Sequence, residues 1–229
     1  MQEASLKINE IYLSVQGESS YAGLPCIFVR LTACDLRCSY CDTPYAFLEG
    51  ESMDIQAIID RVVSFECKLV EITGGEPLLQ KNILPLMSGL CDRGFTVLLE
   101  TSGAHDISVV DPRVVRIMDL KSPGSGECAK NRYENIGHLQ SKDEVKFVIG
   151  SREDYEWSRA IIEKYALDRK VKTILFSPVF RHPGMMGQTT GHPGIDPKLV
   201  VEWLLEDQLP VRFQLQLHKF IWPPEQRGV

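Results

Sequence analysis

Three of the seven cysteines fall in one short stretch, Cys34-Asp35-Leu36-Arg37-Cys38-Ser39-Tyr40-Cys41-Asp42-Thr43. As thiolates at this spacing they can converge on a single metal centre from one loop. Structural zinc usually takes four ligands arranged as two separated pairs. Here there is no second CxxC, and the next histidine along the chain is His105. A four-iron cluster also normally takes four cysteines. Three would leave one iron without a protein ligand, a deficiency for electron transfer but an asset for catalysis, because open iron can bind a small molecule. Accidental proximity is the third reading. The CxxxCxxC spacing, with Tyr40 before the third cysteine, favours the open cluster. Cys26, Cys67, Cys91 and Cys128 are scattered, and they read as small buried hydrophobes.

A second group of residues stands at the ends of apolar runs. Thr73-Gly74-Gly75-Glu76-Pro77 follows one run and Glu100-Thr101-Ser102-Gly103 the next. Lys121-Ser122-Pro123-Gly124, Ser177-Pro178 and Gln216 to Lys219 follow later ones. Glycine and proline after a strand are ordinary turn residues, so one such motif means little. Five on one predicted face point to a site, because parallel architectures place ligands at the carboxyl ends of their strands.

The elements that must hold these motifs alternate. β-Branched and apolar runs predict strands over 26–32, 68–73, 95–101, 114–120, 144–150, 171–177 and 211–217. Ile55, Ile58, Ile59, Val62 and Val63 follow a helical rhythm, with Ser52 or Asp54 available as a cap. Further helices are predicted over 82–92, stopped by Gly94, over 153–166, and from Pro197 to Asp207 behind Asp196. Strands alternating with helices predict a mainly parallel sheet, either doubly wound or an open, incomplete barrel. No repeat, low-complexity tract or linker marks a boundary, so the expectation is one domain over 1–229.

The chain of 229 residues is 44% hydrophobic and 24% charged, the balance of a globular protein with a substantial core. With 25 basic and 31 acidic residues the formal charge is -6, which weighs against direct binding of nucleic acid or of an anionic membrane. No apolar run approaches the ~20 residues of a membrane helix, and the first residues lack the pattern of a secretory signal. The odd cysteine count argues against a disulfide framework, and the cytoplasm is the expected compartment.

The cysteine loop, taken with the Gly74-Gly75 motif downstream, resembles the radical S-adenosylmethionine (SAM) enzymes. Within that group Ser14-Val15-Gln16-Gly17-Glu18, Cys41-Asp42-Thr43, Glu100-Thr101-Ser102-Gly103 and Gln216-Leu217-His218-Lys219 are similar to the 7-carboxy-7-deazaguanine synthases, ring-contracting enzymes of queuosine and 7-deazapurine biosynthesis. The similarity runs from about Ile8 to Pro224. It implies an α/β fold, an incomplete and reduced (β/α) barrel with mainly parallel strands and few crossover helices. It implies a 4Fe–4S cluster on Cys34, Cys38 and Cys41, with SAM on the fourth iron as the source of a 5′-deoxyadenosyl radical. The implied reaction converts 6-carboxy-5,6,7,8-tetrahydropterin to 7-carboxy-7-deazaguanine with loss of ammonia. SAM is regenerated each turnover, Mg²⁺ is required, flavodoxin or ferredoxin supplies the electron, and the enzyme is a homodimer.

The resemblance also implies roles residue by residue. Val15, Gln16, Gly17, Arg30, Thr73 and Pro224 would contact substrate, Arg30 as a two-point partner of the carboxylate; its plainer reading is a structural ion pair. Tyr40, Cys41, Asp42, Gly75, Asp119, Leu120, Lys121, Ser177, Pro178, Val179 and Phe180 would border SAM. Thr43 would hold Mg²⁺ by its hydroxyl, the substrate supplying the other ligands; its plainer reading is a cap or turn residue. A tail over 218–229 would close the pocket. Two departures stand out. Ser19 replaces a glycine found in many relatives, and Glu225 to Val229 extend beyond Pro224, where some relatives end. The rival readings are an activating enzyme of a glycyl-radical protein and a non-catalytic zinc module.

Overall fold

Along each strand the side chains alternate between two faces, and the apolar ones decide which face meets the helices. The computed structural model describes residues 5–181, 192–224 and 226–229. Its strands are β1 (Ser5–Val15), β2 (Pro25–Leu31), β3 (Glu51–Asp54), β4 (Leu69–Gly74), β5 (Thr96–Thr101), β6 (Val115–Leu120), β7 (Glu144–Ile149), β8 (Thr173–Pro178) and β9 (Arg212–Phe213). They form one sheet in the order β3-β1-β2-β4-β5-β6-β7-β8-β9. β1 is antiparallel to β2 and β3, and every other pair is parallel.

The six predicted strands from 26–32 to 171–177 are all present. β1 and β3, absent from the sequence reading, extend the sheet in antiparallel fashion beyond β2. The seventh, predicted over 211–217, is only Arg212–Phe213. After two paired residues the chain leaves the ladder, because its glutamines and backbone bond the turn after β1 instead: Gln214 Nε2 donates to the Ser19 carbonyl at 2.9 Å and Leu217 N to the Gly17 carbonyl at 3.0 Å.

The helices are α1 (Ile55–Val63), α2 (Ile83–Asp92), α3 (Arg152–Tyr165), α4 (Leu167–Lys170), α5 (Pro197–Asp207) and α6 (His218–Ile221). Of the two caps foreseen for α1, Asp54 is the one used: its carboxylate accepts from Ala57 N at 2.8 Å. Asp196 caps α5 and Ser151 caps α3 in the same way. The connections β5–β6 and β6–β7 contain no α-helix, which makes this a reduced version of an alternating fold.

All the longer helices pack on one face. Ile58, Ile59, Val62, Leu86, Met87 and Leu90 meet Ile27, Val29, Leu31, Val70, Ile72, Val97 and Leu99. Tyr155, Ile161, Ile162, Val200 and Leu204 meet Val145, Phe147, Ile149, Ile174 and Phe176. Among the described residues, none of α1, α2, α3 and α5 lies on the opposite face. From β2 to β6 its lower half is apolar, with Cys26, Phe28, Leu69, Leu98, Val115 and Ile117 in contact, and at β7 the buried Glu144 accepts from Ser20 N. Toward the carboxyl ends the same alternation brings up Arg30, Glu71, Thr73, Glu100, Asp119 and Lys146. An apolar floor under a charged rim is the shape of a site.

One charged pair lies on the helix side instead. Arg116 and Asp143 are 4% and 0% exposed and 2.6 Å apart, and Asp143 also accepts from the backbone of Arg116 and Gln140. Removing one partner strands the other. Asp143→Ala is expected to destabilise the fold by about 3–5 kcal/mol in denaturant unfolding, whereas a loss below about 1 kcal/mol would show that water already reaches the pair.

Candidate active site

The cysteine loop leaves β2 through a strained residue. Ala33 has φ 81, a left-handed conformation that a side chain disfavours, and its N–H bonds the Ala46 carbonyl at 2.9 Å, closing the loop at its base. The buried Leu36 anchors the loop from inside. Its outer edge is tied to the segment after β6: Ser39 N donates to the Ser125 carbonyl at 2.9 Å, Ser39 Oγ to the Gly124 carbonyl at 2.7 Å, and Arg37 N to Glu127 Oε1 at 2.7 Å. His105 does reach this loop across the fold, but onto Asp35 Oδ2 at 3.0 Å rather than onto a cysteine.

Gly75 explains why glycine follows β4. A Cβ there would fall 2.0 Å from the Ala33 carbonyl oxygen and 3.0 Å from Cys34 Cβ, so only a glycine lets the two loops meet. Glu76 has a bracing part. Fully buried, it accepts from Thr101 Oγ1 at 2.8 Å, Ser102 N at 2.8 Å and Ser102 Oγ at 2.7 Å. The Thr73–Pro77 and Glu100–Gly103 motifs are thereby joined through one carboxylate.

These loops surround a cavity of about 250 Å³ over the charged rim of the sheet. Cys34, Cys38 and Cys41 all line it, each half-buried. Burial pushes the Cys38 thiol up to about 11 and raises the other two as well, so they become thiolates on binding a cation rather than before. Among the described residues no three Cys, His, Asp or Glu side chains are already gathered at single-ion spacing. The donor set fits an iron–sulfur cluster: three soft ligands from one anchored loop, facing one cavity. Asp119 Oδ1 is buried without a donor, an acceptor that a ligand hydroxyl would satisfy.

Val15, Gln16, Gly17, Arg30, Tyr40, Asp42, Thr43, Thr73, Gly75, Asp119, Lys121, Val179, Phe180 and Pro224 also line this cavity. Leu120, Ser177 and Pro178 do not. The Leu120 side chain is packed in the core under β6, on the opposite face from Asp119, and Ser177 and Pro178 are buried where β8 pairs with Val148 and Ile149. Thr43 precedes the short turn Pro44–Phe47 without capping it; its hydroxyl lies beside the Cys41 thiol instead. Arg30 has the ion pair its burial requires. Its Nε donates to Glu10 Oε1 at 2.7 Å and one terminal nitrogen to Tyr12 Oη at 2.9 Å, while Tyr45 Oη also donates to Glu10, at 3.1 Å.

The cavity has members that the sequence reading did not single out. Glu71 and Lys146 interrupt otherwise apolar strands just as Arg30 does, and that interruption was the available signal; Glu100 was named only within its strand-end motif. Lys146 Nζ lies 2.8 Å from Glu100 Oε1 and 2.5 Å from Glu18 Oε2. Lys121 Nζ lies 2.9 Å from Asp119 Oδ2. Burial and then the neighbouring Glu100 push the Glu71 carboxyl well up, and its contact is a hydrogen bond from Gln16 Nε2. The C-terminal segment closes the other side. Lys219 Nζ reaches Asp42 Oδ2 at 2.6 Å and Gln216 Nε2 reaches Glu18 Oε1 at 2.8 Å. His218 sits against Gly17 so closely that a Cβ there would lie 2.2 Å from its Nδ1. Burial of Asp42 opposes its ionisation, but Lys219 and His218 outweigh that and hold its carboxyl well below the usual range.

Ser19 keeps the turn that a glycine makes in many relatives. It adopts φ 64 and its hydroxyl accepts from Tyr21 N at 3.1 Å, so the local strain is of order 1–2 kcal/mol and is offset by that bond.

A sequence profile of the Radical SAM superfamily matches residues 29–183. The 7-carboxy-7-deazaguanine synthase of Koribacter versatilis is 49% identical, over 98% of this chain and 100% of its own length. That of Chlorobaculum tepidum is 47% identical over 99% of both chains. Among solved structures, QueE from Escherichia coli superposes with a TM-score of 0.72 at 22% identity, over 93% of this chain and 95% of QueE. Streptococcus suis SuiB bound to S-adenosylmethionine gives 0.58 at 14% identity, over 80% of this chain and 48% of SuiB. Those two likenesses establish the fold, an α/β sheet that does not close into a full barrel. The profile and the full-length relatives establish more, for by them the chain belongs to the radical SAM superfamily and, within it, to the 7-carboxy-7-deazaguanine synthases.

Proposed function

We propose that this radical SAM enzyme contracts the ring of 6-carboxy-5,6,7,8-tetrahydropterin to 7-carboxy-7-deazaguanine, releasing ammonia and using Mg²⁺. The observation that carries the reading is the shared cavity: Cys34, Cys38 and Cys41 open onto the same space as Arg30, Thr73 and the charged rim. A cluster with SAM, when bound, supplies the 5′-deoxyadenosyl radical. The chain's own residues bind, orient and enclose.

On the SAM side, Gly75 gives close backbone approach, Tyr40 and Asp42 border the base, and Asp119 Oδ1 accepts from the ribose. Val179 and Phe180 close that end; Leu120, Ser177 and Pro178 act beneath it as support. On the substrate side, the Gln16–Gly17 turn and Thr73 meet the pterin edge, and Pro224 covers it. Arg30 keeps its bond to Glu10 and offers the remaining guanidinium edge to the substrate carboxylate. Thr43 turns its hydroxyl from the Cys41 thiol to Mg²⁺, which a neutral oxygen can hold when the pterin supplies the other ligands. Residues 218–229 work as the closing tail of a single radical SAM unit; Glu225 lies outside the described residues. A cytoplasmic flavodoxin or ferredoxin provides the electron, and the working form is a homodimer. The competing activating-enzyme reading needs a protein-docking groove, whereas here residues of the C-terminal segment stand on the wall of the cavity.

Anaerobic incubation of the reduced, cluster-loaded enzyme with SAM, Mg²⁺ and the carboxypterin tests the whole reading by mass spectrometry of the product. Cys38→Ala is expected to abolish SAM cleavage, with Cys67→Ala and Cys91→Ala near wild type; full cleavage by the Cys38 variant would remove it from the cluster. Thr43→Ala should lower turnover at least tenfold, about one lost metal contact, and flatten its magnesium response, while Thr43→Ser keeps much of both. Equal magnesium stimulation of wild type and Thr43→Ala would end that assignment. For Arg30→Lys, titration calorimetry should show pterin binding about tenfold weaker with SAM binding retained. An equal loss for a pterin lacking the carboxylate would instead make Arg30 scaffold.

A further inference from the structure

Among the described residues, Lys146 is the cation of the cavity rim that faces three carboxylates from three different segments. It is 5% exposed. Its ammonium lies 2.5 Å from Glu18 Oε2 in the turn after β1, 2.8 Å from Glu100 Oε1 on β5 and 3.9 Å from Asp119 Oδ2 on β6. Each carboxylate has a second oxygen, and those second oxygens shape the wall. Glu100 Oε2 accepts the Thr73 hydroxyl proton at 3.1 Å. Having given its only proton, the Thr73 oxygen can only accept from the cavity. Asp119 Oδ2 is taken by Lys121 at 2.9 Å and by Lys146, which leaves Oδ1 as the buried acceptor without a donor. Glu18 Oε1 accepts from Gln216 and so ties the closing segment to the turn. On this part of the wall, Thr73 Oγ1 and Asp119 Oδ1 are therefore presented as acceptors. A tetrahydropterin, with its ring N–H groups and exocyclic amine, is rich in donors.

We propose that Lys146 is a positioning residue, which through Glu100 turns the Thr73 hydroxyl toward the substrate and, together with Lys121, turns the Asp119 carboxylate toward the SAM ribose, both as acceptors. This rests on the reading of Thr73 and Asp119 given above. Burial by itself pulls the Lys146 ammonium down, but Glu100, Glu18 and Asp119 together hold it above the ordinary lysine range, so at neutral pH it keeps its charge.

Glu100→Gln separates positioning from scaffolding. The amide oxygen still accepts from Lys146, so the amide nitrogen falls toward Thr73 and donates to it. The Thr73 hydroxyl must then turn its own proton into the cavity, where the substrate offers donors. In titration calorimetry the affinity of the cluster- and SAM-loaded enzyme for the carboxypterin should fall about tenfold. SAM affinity and the melting temperature of the cluster-free protein should stay near wild type. Lys146→Met should weaken both ligands and raise the 5′-deoxyadenosine released per product, with Lys146→Arg recovering part of that coupling. Unchanged pterin affinity and an unchanged product ratio in Glu100→Gln would make the network scaffold and overturn the proposal. If Lys146→Met does not fold, the Gln variant alone decides. A wild-type enzyme that leaves the carboxypterin unconverted would sink the functional reading instead, before any variant is made.

Discussion

Charge buried on one face of the parallel strands is tolerable only where each charge meets its opposite, and that requirement ties together segments distant in the chain. Asp119, Glu100 and Glu18 stand at or near strand ends where an isolated carboxylate would be heavily penalised. Lys146 and Lys121 neutralise most of that charge at contact distance. Glu71 is contacted by the Gln16 amide rather than by an ammonium, and burial, then the neighbouring Glu100, push its carboxyl up. Such pairs are weak sources of stability. Their value here lies in fixing directions, since an ion held by one oxygen of a carboxylate leaves the other oxygen aimed elsewhere.

The regular part of the fold was legible because its signals are local. Ile55 to Val63 repeats at helical spacing and Asp54 stands ready to cap it; β4 to β8 are short apolar runs bounded by glycine or proline. β1 escaped notice for a physical reason. Its alternation breaks at the bulge between Ile8 and Glu10, after which Ile11, Tyr12 and Leu13 run consecutively, so no one period spans the strand. β9 was overread because VRFQLQL alternates like a strand, while the glutamines that make the alternation are spent on side-chain bonds across the cavity.

The site was legible where chemistry demands particular residue types. Cysteines at CxxxCxxC spacing and glycines that must touch backbone leave few alternatives. It was illegible where a role depends on which way a side chain points. Leu120 lies between Asp119 and Lys121, and the period of two sends it into the core while its neighbours face the cavity. Glu76 belongs to a motif that looks like ligand contact, yet its carboxylate is consumed by Thr101 and Ser102. The burial of Arg30 was readable as a need for a partner. That the partner is Glu10 depends on β1 lying antiparallel beside β2, a pairing absent from the local sequence.

The closing segment shows how contacts of different strength divide one task. Arg227 pairs with Glu49 at 2.6 Å and lies 3.8 Å over the Tyr45 ring, but both ions are largely exposed, and such pairs contribute about 0–1 kcal/mol. Deeper in, the Lys219 ammonium is 7% exposed against Asp42, and Leu217 bonds Gly17 through the backbone. The inner contacts therefore hold the segment, and the outer pair sets only where residues 226–229 run. Pro224 lies between these two anchors on the cavity wall. With chain continuing beyond it, Pro224 can present a ring and a carbonyl to the cavity but no carboxylate. Asp42 and Glu18, which line this side of the cavity, are each committed to a cation. In the proposed function, a ring received on this side would meet these carboxylates already paired.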